Sequence, residues 1–426
     1  MQTTFEKQLP LETKPVNAAR QWIWMGFLIG LLIVGAYAIV TRAVEGLAVT
    51  NLSSTTPWGA WIAFYIFFVG LSAGAFLLST MIYVFGMKNL EKIGREALLT
   101  AFLSMILALT FVLLDIGQMG RFWHALVYFN PTSILAYEVR FYTIYMLLLL
   151  VELYFAMRPD LVRTAQADNG IRSTIARLAS LGSRDLSEAA MERDHKWLKV
   201  LGIVGIPIAI FGVHGGTGAL FAVVKAHHYW NSAVFPIIFV VSALVSGTAL
   251  LMALYIIRQK VIGKKPDISM VQGLATIMVG FLMVDWGLQF YEILISVYSR
   301  NPHALETFEI MFFGPMWWTF WIVQLLLGAI VPIFLFFKYK HSVKAMLAAA
   351  VMVVVGILAV RFNIVVPTQL IPPFESMPGS YYMPNALEIM ASAGVISLGL
   401  LLYTLGVKYL PVDMSKEQLE LLERGE

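Results

Sequence analysis

The chain has 426 residues, 59% of them hydrophobic and only 13% charged, with a mean hydropathy of +0.76. That mixture excludes a soluble globular domain and a disordered chain, and it specifies an integral membrane protein. A net charge of +4 marks no nucleic-acid partner, and with no cysteine there is no thiolate-bound iron–sulfur cluster, no c-type haem and no disulfide.

The first 21 residues are polar, with Lys7, Lys14 and Arg20, and precede an apolar run that starts at Trp22. No small-residue cleavage site closes that run, which therefore reads as a retained first helix and not as a signal peptide. Ten runs are long enough to span, at roughly 22–42, 58–86, 97–122, 134–157, 198–222, 231–258, 269–297, 312–337, 345–366 and 386–409. Each is apolar all round for about 20 residues, where barrel strands would alternate, so the predicted fold class is an all-α integral membrane protein with ten transmembrane helices. Loops are short except 158–197, where Ile171, Ile175, Leu178 and Leu181 fall on one face among arginines. That spacing predicts an amphipathic helix on the membrane surface. Of the 30 Lys and Arg residues, 24 lie in the N-terminus, the loops near 87–96, 158–199, 258–265 and 338–344, and the C-terminus. By the positive-inside rule these segments and both termini are cytoplasmic.

Two stretches repeat one another: FVLLDIGQMGRFWHALVYFNP with Asp115, and FLMVDWGLQFYEILISVYSRNP with Asp285. In both, Gly stands two residues after the aspartate (Gly117, Gly287), and a tyrosine (Tyr128, Tyr298) leads to an Asn-Pro turn. GLSAGAFLLS resembles ALVSGTALLM, with Gly74 matching Gly247, and Tyr137-Glu138-Val139 matches Phe308-Glu309-Ile310, all at offsets of 170 to 173 residues. The expectation is two parallel four-helix bundles, spans 2–5 and 6–9, flanked by spans 1 and 10. The domains are then 1–56, with the first span, 57–222 for the first bundle, including the cytoplasmic loop 158–197, 223–366 for the second bundle, and 367–426 for the last span and tail.

With that orientation Asp115, Glu138, Arg140, His214, Asp285, Gln289, Glu292, Arg361 and Glu388 fall in the outer half of the bilayer or at its rim. Glu152 falls toward the cytoplasmic side. Ionisable groups in a membrane cost free energy and default to functional hypotheses, and a one-sided distribution predicts a polar cavity open to the outside. Asp115 is a candidate proton-exchanging acid, against an interhelical lock such as a pair with Arg140. His214, in FGVHGGTGAL, is a candidate hydrogen-bonding or proton-relaying imidazole, against a packing role among its glycines. Asp285 and Glu292 read as a proton path with Arg361 and Glu152, against simple pairing with Arg361. Trp58, Trp61 and Tyr65 read first as interfacial aromatic anchors and second as walls for a planar ligand. His227, His228 and His303 read as solvated loop histidines. His214 is the one histidine well inside a span and His124 lies at an end, so bis-histidine haem has no ligand pair. Nucleotide-binding glycine motifs are missing too.

Several of these residues lie in longer motifs: PWGAWIAFYIFFVGLSAGAFLLS (57–79), LLDIG and GRFW (113–123), TSILAYEVRFYTIY (132–145), VHGGTGAL (213–220) and YYMPNALEIMASAG (381–394). Their order and spacing resemble the NrfD / polysulfide-reductase membrane-subunit family. The likeness is to its ten-span branch, which includes the membrane subunits of hydrogenase-2 and of sulfite-reductase-linked complexes. The resemblance implies a quinone-reactive subunit of a respiratory redox complex in a bacterial or archaeal cytoplasmic membrane, without haem or cluster of its own. It implies menaquinone as the quinone, a ferredoxin-like iron–sulfur protein on the outer face, and catalytic or cytochrome subunits beyond it. Asp115, Glu138, His214 and Glu388 match polar positions of the family, whereas Arg140 falls outside that match. The resulting expectation has His214 and Asp115 bonding or protonating the headgroup, Glu138 and His124 exchanging protons with the outer phase, Trp61 and Tyr65 walling the ring, and Arg140 close by. Proton translocation is a further expectation. The rival readings are a secondary transporter, against which no paired broken helices stand out although Pro207 and Pro332 interrupt spans 5 and 8, and a purely structural anchor.

Overall fold

The computed structural model describes residues 18–167, 170–372, 374 and 381–413; the N-terminal segment with Lys7 and Lys14 and the tail from residue 414 lie outside the described residues. Among the described residues ten helices are long and apolar enough to cross a membrane: Ala18–Val49, Ala60–Tyr83, Leu90–Asp115, Ile134–Gln166, Glu188–Ala222, Phe235–Val261, Ile268–Tyr298, Thr319–Tyr339, Val343–Gln369 and Ala386–Tyr409. They are called spans 1 to 10.

Span 2 is buried at nearly every position and forms the centre, packed on spans 3, 5, 6 and 9. Contacts run 2 on 3, 3 on 4, 4 on 5 and 5 on 2, and likewise 6 on 7, 7 on 8, 8 on 9 and 9 on 6. Span 1 lies against span 10, which also touches span 3. Spans 2 and 6 cross where Gly74 faces Gly247, and a methyl group on either would overlap the other helix's backbone. The same close approach recurs at Gly35/Gly394 of spans 1 and 10 and Gly328/Gly356 of spans 8 and 9. In lipid no hydrophobic effect drives helices together, so this backbone proximity and the dispersion it permits replace it.

Two spans depart from regular α geometry. In span 5 Pro207, which has no N–H to donate, is followed by a π-helical stretch Ile208–His214. Thr319–Ile330 of span 8 is π-helical as well. Such widened turns are rare and gather at functional positions.

The long polar loop is shorter than the sequence suggests. The helix of span 4 continues to Ala167, and the helix of span 5 already starts at Glu188 behind a Ser187 cap. Buried ion pairs hold these extensions: Arg158 with Asp194, and Arg95 with Asp160 at 2.6 Å. Arg258 of span 6 bonds Glu96 of span 3 at 2.8 Å and also Asp413, while Tyr403 bonds Glu96. The helix Ile171–Ala179 packs Ser173 and Ala176 inward and leaves Ile171 and Leu178 exposed, as does the following Leu181.

Candidate functional site

Three polar clusters form at or toward the end of the spans remote from the Lys- and Arg-rich loops. The first surrounds Asp115, the last residue of span 3. A helix ends in unpaired carbonyls, and buried Arg42 of span 1 takes two of this region's, Leu114 O at 2.7 Å and Ile116 O at 2.6 Å. Asp115 is half-buried beside the exposed Gly117, and its buried Oδ1 has no hydrogen-bond partner among the described residues. On the neighbouring span 10 the Glu388 carboxylate is fully engaged. It accepts from Asn51 N (3.1 Å), Asn385 N (3.0 Å) and the Tyr382 hydroxyl (2.6 Å), closing a capping box. Tyr382 lies outside the spans; burial raises its hydroxyl pKa, so it stays a donor to Glu388 while accepting from Ala60 N at 2.8 Å. Trp61 Nε1 donates to Glu388 O at 3.4 Å.

The second cluster is sealed. Tyr142 Oη donates to Glu138 Oε1 at 2.6 Å and meets Tyr65 Oη at 2.5 Å and Thr217 Oγ1 at 2.8 Å. Tyr142 stands four residues after Glu138, one turn along span 4. All four residues are buried, and Glu138 Oε2 lacks a partner among the described residues.

The third lies at the contact between the two sets of spans. Arg361 of span 9 and His214 of span 5 are both 0% exposed, with Nη2 and Nε2 3.3 Å apart. The guanidinium can only donate, so His214 Nε2 accepts and the imidazole proton sits on Nδ1. Arg361 also bonds Ser242 and lies 4.5 Å over the Phe239 ring. Gly70 of span 2 is the position where the pair comes near: an added Cβ would sit 3.2 Å from His214 Nε2. Asp285 of span 7 is 0% exposed as well, but no hydrogen bond joins it to Arg361, whose Nε and Nη1 have no partner among the described residues. From Asp285 a hydrogen-bonded chain runs through Gln289 (2.6 Å), Gln324 (2.9 Å) and Asn363 (2.6 Å) to Thr319 (2.6 Å). Gln289, Gln324 and Asn363 line a cleft among spans 6 to 9, together with Glu292. Glu292 accepts from Ser232 at 2.7 Å.

The residues singled out from sequence are thus divided. Asp115 and Trp61 share one cluster, Glu138 and Tyr65 another, and His214, Asp285 and Arg361 a third; no hydrogen bond joins Asp115 to His214. Arg140 does not pair with Asp115. Its guanidinium bonds the carbonyls of Ala136 and Leu126 and covers the Phe129 ring at 3.9 Å. His124 stacks edge-on with Trp123 and Tyr128 in the segment after span 3. Glu152 is buried opposite Gly202 of span 5. The anchoring reading of Trp61 and Tyr65 is corrected: they are 1% and 4% exposed and point into the protein, and Trp58 stacks on Trp230 at 5.4 Å. His227 is half-buried against Trp230, whereas His228 and His303 are exposed and stack on one another. Arg42, Thr217, Ser242 and Asn363 had gone unnoticed as partners because nothing in their spacing places them beside residues on other helices.

Ten apolar spans around buried carboxylates, an arginine and a histidine define the chain as an integral membrane protein with an internal polar site. The family described as "Polysulphide reductase, NrfD" matches residues 48–373, and the chain belongs to it. It is 44% identical to a selenate reductase subunit of Mesobacillus selenatarsenatis over 90% of this chain and 92% of that protein. It is 27% identical to the Hdr-like menaquinol oxidoreductase integral membrane subunit of Archaeoglobus fulgidus, over 91% and 93% of the two chains. A third relative is the menaquinone reductase integral membrane subunit of Nitratidesulfovibrio vulgaris, 26% identical over 93% of each chain.

Proposed function

We propose that this chain is the quinone-reactive membrane subunit of a respiratory reductase complex in a prokaryotic cytoplasmic membrane. It exchanges two electrons with an iron–sulfur partner on the face remote from the basic loops, where a catalytic subunit follows, and menaquinone is the lipid-soluble partner. The names of the selenate reductase and menaquinone relatives support this reading. So does the missing cysteine, since electrons must then come from another subunit. Reduction of the quinone consumes two electrons from that partner and two protons, and quinol oxidation is the reverse.

The observation that carries the site is Asp115: a carboxyl at a helix end, half-exposed, with one buried oxygen left without a partner and Arg42 holding positive charge behind it. A carboxyl so placed can exchange a proton with a headgroup oxygen that approaches past Gly117, with Trp61 and the Tyr382–Glu388 pair as the rigid wall. The closed Glu138–Tyr142–Tyr65 network and the His214–Arg361 pair lie behind it, where they hold charge and exclude water. Asp285, Glu292 and Glu152 are the acids of a proton route. Amides hydrogen-bond without readily relaying protons, so the Gln289–Gln324–Asn363 chain orients Asp285 while protons need water alongside it.

The test is quinol-analogue turnover in Asp115→Asn and His214→Ala variants that still assemble with their partners. Loss of a proton-transferring group typically costs 10²–10⁴-fold in rate, so Asp115→Asn is expected to fall by about a hundredfold. An unchanged rate in Asp115→Asn removes the site from this position.

A further inference from the structure

The cleft among spans 6 to 9 has a relation to the first half that the hydrogen bonds alone do not reveal. Ile238, on its wall, stands at the offset from Tyr65 that Gly247 has from Gly74. Tyr65 belongs to the sealed hydroxyl cluster of the first half. Where that half fills the position with a tyrosine bonded to Tyr142, the second half has an isoleucine, and a cleft remains.

Its polar groups are not used up. Each amide of Gln289, Gln324 and Asn363 spends one N–H on its neighbour in the chain and keeps a second. Tyr229 Oη has no hydrogen-bond partner among the described residues, and Glu292 Oε1 is free while Ser232 engages Oε2. Opposite them stand Phe235, Phe320 and Met311. The π-helical turn of span 8 is what brings Thr319, Phe320 and Gln324 to this region. The enclosed part of the cleft takes on the order of two water molecules. An oxygen-bearing edge therefore enters, and a ring attached to it requires the buried Phe235 and Phe320 side chains to swing aside.

We propose that this cleft is a second binding site for a quinone-class ligand, a planar ring whose edge oxygen accepts from the spare amide N–H groups and the Tyr229 hydroxyl, with the Glu292 carboxyl beside it. The inference rests on the quinone-reactive reading above but concerns the half of the protein that reading assigned to protons. Donors in excess over acceptors suit a carbonyl, and few polar groups on an otherwise apolar wall are the usual composition of a small-molecule site.

The experiment is photolabelling of the intact complex in liposomes with an azido-naphthoquinone, followed by mapping of the labelled peptides. Label is expected in two places, around Asp115 and on the segments bearing Met311 and Phe320. Ile238→Tyr, which restores the first-half residue, abolishes the second label and leaves the first. Gln324→Leu weakens the second label about tenfold, the equivalent of one lost hydrogen bond. The first-half label in the same molecules reports that each variant is folded. Label confined to the first half, or second-half label untouched by both substitutions, overturns the second site alone. No label in either half overturns the quinone reading and this site with it.

Discussion

At the scale of single residues, Glu388 and Asp115 differ both in how their polar atoms are matched and in how far they reach solvent. Glu388 accepts three hydrogen bonds and ties the start of span 10 to Asn51 and Tyr382, so it acts as a clamp. Asp115 has an unmatched buried oxygen. Arg361 is the case with most at stake: it is fully buried, Asp285 is the buried carboxyl offered as its counter-charge, and leaving a buried charge uncompensated costs about 3–5 kcal/mol. Arg361→Leu is therefore expected to lower the thermal stability of the purified protein strongly, and adding Asp285→Leu should recover much of the loss. If the double variant is no better than the single one, Asp285 is not the compensating charge. His227 gives a pH effect. Burial, outweighing its Thr368 contact, lowers its pKa below the ordinary imidazole value, so the unfolded chain binds the proton more tightly. Stability is then unaffected above about pH 6.5 and falls as the pH drops through that value toward the folded pKa. Melting measured from pH 7.5 to 5 should show a shallower decline in His227→Gln.

At the scale of helices, the glycines sort by what surrounds them. Gly117 and Gly287 were the residues that first displayed the repeat, yet an added Cβ at either meets nothing within 4 Å. Gly74 and Gly247 meet backbone instead. Gly287→Ala within span 7 should be neutral or stabilising by roughly 0.5–1 kcal/mol, the helix-propensity gain over glycine. Gly74→Val should prevent spans 2 and 6 from closing and reduce the folded yield, judged by monodisperse elution and by melting. Equal behaviour of the two variants would show that the crossing does not depend on backbone contact. Repetition in a sequence marks ancestry of an element, whereas the contact made by each copy decides which copies tolerate change.

At the scale of the whole molecule, the orientation can be tested directly because the chain has no cysteine to confuse labelling. Lys340 lies in a basic loop and Ser299 at the opposite end of span 7, both exposed. In sealed cells or right-side-out vesicles a membrane-impermeant maleimide should label Ser299→Cys and spare Lys340→Cys until the membrane is opened. The reverse pattern would invert the orientation and place the Asp115 end on the inner side. The ion pairs Arg258–Glu96 and Arg258–Asp413, linking spans 3 and 6 to the segment after span 10, sit on the basic side, away from the polar clusters.

The sequence by itself determined the ten spans, because length and continuous apolarity are local properties that a bilayer reads directly. Its ordered motifs gave family membership, and offsets near 171 residues pointed to a duplication. Asp115, His214, Asp285 and Arg361 were legible too, since a charge among apolar neighbours stands out without any structure. The partnerships came only from the fold. Asp115 lies near Arg42 of span 1 and not near Arg140, His214 meets Arg361 across the contact between the halves, and Trp61 turns inward. Which face of an apolar helix points to protein and which to lipid depends on neighbours far away in the chain, and a helix apolar all round carries no periodic mark of that choice. Ile238 of the second-half cleft is the same case: as a letter it is an ordinary core residue, and only its position opposite unspent amides makes it the wall of a site.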